Sequence, residues 1–476
     1  MKGSQVNQLP NIVICMVDQL RAHALGCYGD PVARTPNIDR LAGEGIRFEH
    51  AVSPNPVCTP ARTSILAGQH TRTCAPELGN PINQREDGTW GMAEYPDETR
   101  TALPDMTLPE MLRQQGYATG LFGKWHVRPA PTLVGFDTAV FPRVHHRHTG
   151  QTFIENTGLG EVVDGYSVDY EADRLAQWIG EQGTTPFFAH YNISPPHMPL
   201  LDAPEKYLNM FRPDEVPIRE NAFRDGHLVD DEHWFKTYLW DFLYYQEKLP
   251  ETAELPDGFD LRQLTAYYYG LTAWVDDMVG QMMESLTRTG HDKDTIVIFC
   301  SDHGDMLGSH HLFNKGRLYE ESARIPFIVH APERWAAKVN STQVASLIDV
   351  MPTVLAACGI DIPAPVQGQD LSPILGGDRD ALEEDYAFIE ATADSSIGIR
   401  TPRHLFGLKT DPKTHEILDE GRVLWDLEED PYEYNNLADQ TETNAVATEL
   451  EARLRAWHEQ TPWFTDRATL LRSKTP

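Results

Sequence analysis

Asn11–Asp18 reads NIVICMVD, an unbroken apolar run from Ile12 to Val17 closed by a carboxylate. Thr295–Asp302, TIVIFCSD, has the same form, with Asp302 just past the run. Apolar runs of this length with no polar alternation belong to strands covered on both faces. Such strands build parallel sheets flanked by helices, and ligands collect beyond their carboxyl ends. Asp18 and Asp302 stand at two such ends and are therefore the first candidate site residues.

Working outward, helical and strand patterns alternate. Thr35–Glu44 (TPNIDRLAGE) carries a Thr at the cap, Pro in the first turn and the apolar spacing of a short helix. Leu108–Gln115 reads as a helix, Thr119–Gly123 and Pro186–Ile193 (PFFAHYNI) as strands, and Leu261–Leu286 as a long helix. Pro326–His330 reads as a strand and Ser346–Cys358 as a helix stopped by Gly359. Alternation of this kind predicts an α/β fold, a large mostly parallel sheet sandwiched by helices, over residues 1–375. From 376 to 476 the pattern changes. Tyr386–Glu390, Gly398–Arg400, Leu405–Leu408 and Val423–Asp426 read as short strands, and Asn444–His458 as one amphipathic helix. These predict a small antiparallel sheet packed by a helix. The aromatic segment His227–Leu249 fits a well-packed helix, with a lid or an oligomer contact as other readings.

The 476 residues carry 40 Lys plus Arg against 71 Asp plus Glu, a formal net charge of −31. That excess opposes binding to nucleic acid or to an anionic membrane. It also means that any anionic substrate needs a local cationic pocket on an acidic body. No apolar stretch is long enough to span a membrane, and Ile12–Val17 is too short for a signal-peptide core, so the expected location is the cytoplasm. The oligomeric state cannot be read.

The six cysteines form no CxxC pair and no zinc spacing. Cys15 and Cys300 lie inside strand-like runs and read as buried thiols. Cys58 differs. It lies in Pro56–Gly68 (PVCTPARTSILAG), where Cys58, Pro60 and Arg62 precede a helical run. This places Cys58 near a helix N-terminus with Arg62 one turn later on the same face. An anion there would gain backbone donors and a guanidinium. On these grounds alone the segment describes a thiolate nucleophile or, less fittingly in a polar turn, a structural thiol.

Cys-x-Pro-x-Arg at 58–62 resembles the signature of the type I, formylglycine-dependent sulfatases of the alkaline-phosphatase-like superfamily. Five further segments are similar to that family: Met16–Gln19, Thr35–Phe48 (TPNIDRLAGEGIRF), Gly123–His126 (GKWH), Ser301–Gly308 (SDHGDMLG) and Leu424–Leu437 (LWDLEEDPYEYNNL). The resemblance implies that a formylglycine-generating enzyme oxidises Cys58 to formylglycine. The aldehyde hydrates and one hydroxyl of the gem-diol attacks sulfur. It implies one divalent metal, calcium or else magnesium, held by Asp18, Asp302 and His303, with Gln19 standing where many members have a second Asp. It implies an anion-binding set of Arg62, Lys124, His126, His197 (in SPPHMP) and Lys315. In that scheme His197 or Lys315 protonates the leaving oxygen, and His126 takes the proton whose loss releases sulfate. The expected activity is hydrolysis of sulfate esters, carbohydrate sulfates above all, with aryl sulfates cut in vitro. A phosphonate monoester or phosphodiester hydrolase on the same scaffold is the nearest rival, because Asp-Gln and Asp-His pairs suit it equally. A silent binding protein is disfavoured by the intact Cys58, Arg62, Asp18 and Asp302. The patch His145–His148 (HHRH) reads evenly as a solvated loop or as a contact for a substrate carboxylate or second sulfate.

Overall fold

The computed structural model describes residues 9–84, 90–92, 99–144, 146–156, 158–240 and 254–465. Ten strands form the main sheet: β1 (Asn11–Asp18), β2 (Ile46–Val52), β3 (Ala118–Gly123), β4 (Thr138–Pro142), β5 (Thr152–Glu155), β6 (Gly158–Val162), β7 (Phe187–Pro196), β8 (Thr295–Ser301), β9 (Phe327–His330) and β10 (Lys338–Ser346). Their order is β10-β2-β9-β8-β1-β7-β3-β4-β5-β6. The central run β8-β1-β7-β3-β4 is parallel throughout, whereas β9 and β5 run antiparallel to their neighbours.

The unbroken apolar run of β1 now has its reason. Val13, Cys15 and Val17 point into one core, shared with α1 (Pro36–Glu44), α3 (Ser167–Glu181) and α4 (Leu261–Thr289). Ile12, Ile14 and Met16 point into the other, beneath α2 (Cys58–Ala67) and the helix Val350–Ala357. With period-two alternation, both faces need apolar side chains.

The structure departs from the sequence pattern at several elements. β2 (IRFEHAV) lies inside the sheet although Arg47, Glu49 and His50 interrupt its apolar residues. Arg47 and Glu49 satisfy each other in an ion pair at 2.5 Å. Ser346, expected to start a helix, instead ends β10. Its backbone N–H donates to Asp349 Oδ2 (2.8 Å) at a 3₁₀ turn that delays the helix to Val350. Thr35 precedes α1 but does not cap it: its hydroxyl donates to Asp39 Oδ1, at 3.2 Å. Asp276 on α4 accepts the N–H groups of Asn37 and Ile38 instead, at 3.2 and 2.8 Å. A helix N-terminus needs such an acceptor, and here a neighbouring helix provides it.

Beyond the main sheet, β11 (Ala387–Ala391), β12 (Ser396–Arg400), β13 (His404–Lys409) and β14 (Val423–Asp426) form an antiparallel meander. One face is covered by α5 (Asn444–Gln460) through Ala447, Leu450, Leu454 and Trp457. The other packs on Val52, Leu318, Ala323 and Val344 of the larger unit. Arg72 secures the junction. Its guanidinium stacks between Trp457 (4.4 Å) and Trp463 (4.3 Å) and pairs with Glu390 at 2.6 Å. Among the described residues, no helix is long and apolar enough to cross a membrane.

Candidate active site

The site lies where strand ends converge. β1 delivers Asp18 and then Gln19; β8 delivers Asp302 and His303; β3 delivers Lys124 and His126; β7 delivers His197. β2 leads through a short turn to Cys58, the first residue of α2. Gly123 has φ +86°, and a Cβ there would collide with the Asn192 carbonyl, so the sharp exit of β3 requires glycine. Gln19 and His126 also hold left-handed backbone, φ +62° and +52°. Such conformations cost free energy in non-glycine residues and cluster at functional sites.

Cys58 is fully buried. Its Sγ lies 2.9 Å from Lys315 Nζ, 3.3 Å from His303 Nε2 and 3.6 Å from Asp18 Oδ1. His126 and His197 also reach it by hydrogen bonds. Burial pushes the thiol up, but Lys124, Lys315 and His303 outweigh it and hold the group well below the ordinary thiol range. Position 58 therefore favours negative charge strongly.

Beneath it, one atom each from Asp18, Cys58, Asp302 and His303 lies within 4.8 Å of the others, a buried group that could hold a metal ion. Burial and the Asp18 charge push Asp302 up. Burial and Cys58 push Asp18 up too, but Lys124, His197 and Arg62 prevail and hold it below the carboxylate range. Burial lowers His303, and Asp302 more than offsets it. Two buried carboxylates with an imidazole suit a divalent cation, which relieves their mutual repulsion. Gln19 faces the same place differently. Its Oε1 accepts from Lys315 Nζ (3.0 Å), the ammonium that also meets Cys58, and its Nε2 donates to Asp305 Oδ2 (2.6 Å).

Arg62 is turned downward. Nε donates to Asp302 Oδ2 (2.9 Å), Nη2 lies 2.9 Å from the same oxygen and 3.4 Å from Asp18 Oδ2, and Nη1 donates to Asn192 Oδ1 (3.1 Å). Its fork engages both carboxylates. Lys124 Nζ donates to Asp18 Oδ2.

All ten candidates from the sequence are thus brought together, and other residues join them. Asn192, the one amide in the β7 run, receives Arg62; its polarity inside PFFAHYNI was the available signal. Asp305 accepts from Gln19 and from Tyr238 Oη (2.6 Å). His146 is the larger surprise. Two residues of HHRH are enclosed, since His146 and His148 are 4% and 0% exposed; His145 lies outside the described residues. The His146 ring stacks on His197 at 3.7 Å and 9°, with Nε2 3.5 Å from Lys124 Nζ. His148 packs edge-on against Trp274. Of the aromatic segment, Glu232–Trp240 is a helix and 241–249 lies outside the described residues.

The sequence model of the family described as Sulfatase matches residues 10–360. The chain belongs to the sulfatase family. A second model, described as N-sulphoglucosamine sulphohydrolase, C-terminal, matches residues 308–460 of this sulfatase. The ulvan-active sulfatase of Formosa agariphila is 28% identical over 468 residues, covering 94% of this chain and 80% of its own. The N-acetylglucosamine-6-O-sulfatase of Bacteroides thetaiotaomicron is 28% identical over 512 residues, covering 95% and 86%. A structure solved with its substrate D-glucosamine-2-N,6-O-disulfate superposes with a TM-score of 0.76 at 25% identity, covering 95% of this chain and 98% of that one. The large mixed sheet with its small antiparallel companion is the alkaline-phosphatase-like fold of these sulfatases, which hydrolyse sulfate esters.

Proposed function

We propose that this sulfatase hydrolyses carbohydrate sulfate esters, using formylglycine made from Cys58 and one divalent metal, calcium by preference. The observation that carries the chemistry is the position of Cys58. It is the buried first residue of α2, ringed by Lys124, Lys315, His126, His197 and His303, directly above Asp18 and Asp302. The carbohydrate reading is supported by the relatives named for ulvan and N-acetylglucosamine sulfate, and by the neighbour holding a disulfated glucosamine.

When bound, the metal adds positive charge beside the sulfate oxygens and formylglycine offers a hydrated aldehyde as nucleophile. Asp18, Asp302 and His303 would hold the ion, with the Gln19 amide oxygen as a further ligand. The protein's own groups do the rest. Arg62 fixes both carboxylates, so their lone pairs are set before the ion arrives. Lys124 and Lys315 present ammonium groups to the charge on sulfate, in a water-poor pocket where such donors act strongly. His126 is brought down to about 4 by burial and by Lys124, so at neutral pH it is in the base form that can take a proton. His197 directs Nδ1 at the Met198 carbonyl (2.6 Å), which leaves Nε2 as the atom that exchanges a proton with the leaving oxygen. Burial and Lys315 bring His197 to about 4; a sulfate anion held beside the ring favours its protonated form.

The deciding experiment is a panel of sulfated sugars, small alkyl sulfates, 4-nitrophenyl sulfate, phosphodiesters and phosphonate monoesters. A sulfated sugar is expected to have the highest kcat/KM. Faster turnover of a phosphodiester or phosphonate would reject the reading in favour of the rival.

The pocket's cations make a second expectation. At −31 overall, the body repels a sulfate ester at long range, while enclosed contacts draw it in. Salt screens the first over about 8 Å at physiological strength and barely touches the second. Added sodium chloride should leave kcat/KM unchanged or slightly higher. Lys124→Ala should lower it by about 2–4 kcal/mol of transition-state stabilisation. A steep fall with salt in the wild type would show steering by an exposed basic surface instead.

A further inference from the structure

We infer that His146 is a positioning residue for proton transfer to the leaving group, acting through its stack on His197. The inference rests on the reading of His197 as the proton donor and goes beyond it in assigning a function to His146.

The two imidazoles lie face to face in nearly parallel planes, 3.7 Å apart and tilted by 9°. His146 leaves the sheet after β4, whereas His197 follows β7, so the pair joins two separate strand ends. Both rings are buried, at 4% and 0% exposure. Two contacts then fix His197: its Nδ1 is engaged by the Met198 carbonyl at 2.6 Å, and its face is covered by His146. With one edge and one face held, Nε2 is aimed and the ring cannot rotate away. His146 is fixed in turn. Lys124 Nζ, a donor only, lies 3.5 Å from His146 Nε2 and so opposes a proton on that nitrogen. His126 packs edge-on to the same ring at 6.2 Å. The surroundings therefore keep His146 neutral. That matters, because two stacked rings at this distance cannot both carry charge. A neutral His146 lets the single positive charge reside on His197, with the π face of one ring beside the cation of the other.

In the step served, the attacking oxygen enters as a deprotonated hydroxyl and forms a bond to sulfur as the bond from sulfur to the ester oxygen breaks. The electron pair of the broken bond goes to the ester oxygen. His197 Nε2 gives that oxygen its proton and is left neutral, with Nδ1 still protonated toward Met198. An activated leaving group such as 4-nitrophenolate needs no proton, whereas a sugar alkoxide does.

The test follows from this difference. kcat/KM is measured for a sulfated sugar and for 4-nitrophenyl sulfate in wild type, His146→Ala, His146→Phe and His197→Ala. His146→Ala is expected to lose at least about tenfold more on the sugar than on the aryl ester, part of what general-acid catalysis contributes. His146→Phe, which keeps a flat ring on His197, should recover most of the loss. Equal losses on both substrates, or no loss, would overturn the inference while His197→Ala still discriminates. If His197→Ala itself shows no preference between the two esters, the underlying reading of the proton donor fails instead. Circular dichroism and thermal melting check that each variant is folded.

Discussion

Cys58→Ala is expected to abolish turnover, by a factor on the order of 10⁴ or more, as removal of a nucleophile does. Cys58→Ser should do the same. Both variants should stay folded. The sulfur sits among polar and charged groups rather than in either apolar core, so its loss leaves no apolar cavity. Stability should change by no more than about 1 kcal/mol. The checks are steady-state rates on the best substrate and a melting curve. A mass measurement on the wild-type peptide containing Cys58 shows directly whether sulfur has been exchanged for an aldehyde oxygen. Near-wild-type rates for Cys58→Ala would remove the proposed mechanism altogether.

Arg62→Ala is expected to cost both activity and stability. The guanidinium holds Asp302 at 2.9 Å and Asp18 at 3.4 Å, all of them buried. Removing one partner from such a group leaves charge buried without compensation, which destabilises by about 3–5 kcal/mol. Activity should fall with it, since the carboxylates lose the fork that orients them. Added calcium should restore part of the lost stability, because a divalent ion at Asp18 and Asp302 supplies the missing positive charge. Melting temperatures with and without calcium read this directly. If Arg62→Ala melts with the wild type and keeps its rate, the clamp has no role.

Much of this is legible in the sequence, for a physical reason. β1 and β8 are buried on both faces, so their sequences are nearly pure apolar runs, and the carboxylates that end them stand out. Cys58 and Arg62 are spaced by one helical turn, and a single helix preserves that spacing. The strands that escaped notice are those whose residues serve mixed surroundings. In β2, Arg47 and Glu49 pair with each other and leave no apolar signature. Ser346 and Asp349 form a cap that looks the same in sequence whether a strand or a coil precedes it. For His146 the sequence leaves two readings even, because its partner is His197, fifty-one positions away and on another strand end. A run of histidines and arginine is polar by composition, and only the fold reveals that two of those rings are enclosed. The direction of Arg62 was hidden likewise: its position on α2 was readable, but not that the carboxylates lie below it and compete for its fork.

The clasp of Arg72 between Trp457 and Trp463 bears on how such a protein can diversify. An arginine from the segment just after α2, and so only one helix from the nucleophile, is seated in a slot made by the last part of the chain. Neither half is a cassette. A C-terminal unit borrowed from a relative would have to bring two indoles and a carboxylate in register, or strand a guanidinium in an apolar seam. Exchange of whole units between sulfatases is therefore handicapped at this joint. Inheritance of new specificity has an easier route through the loops at the mouth of the sheet, which can change residue by residue while the clasp stays closed.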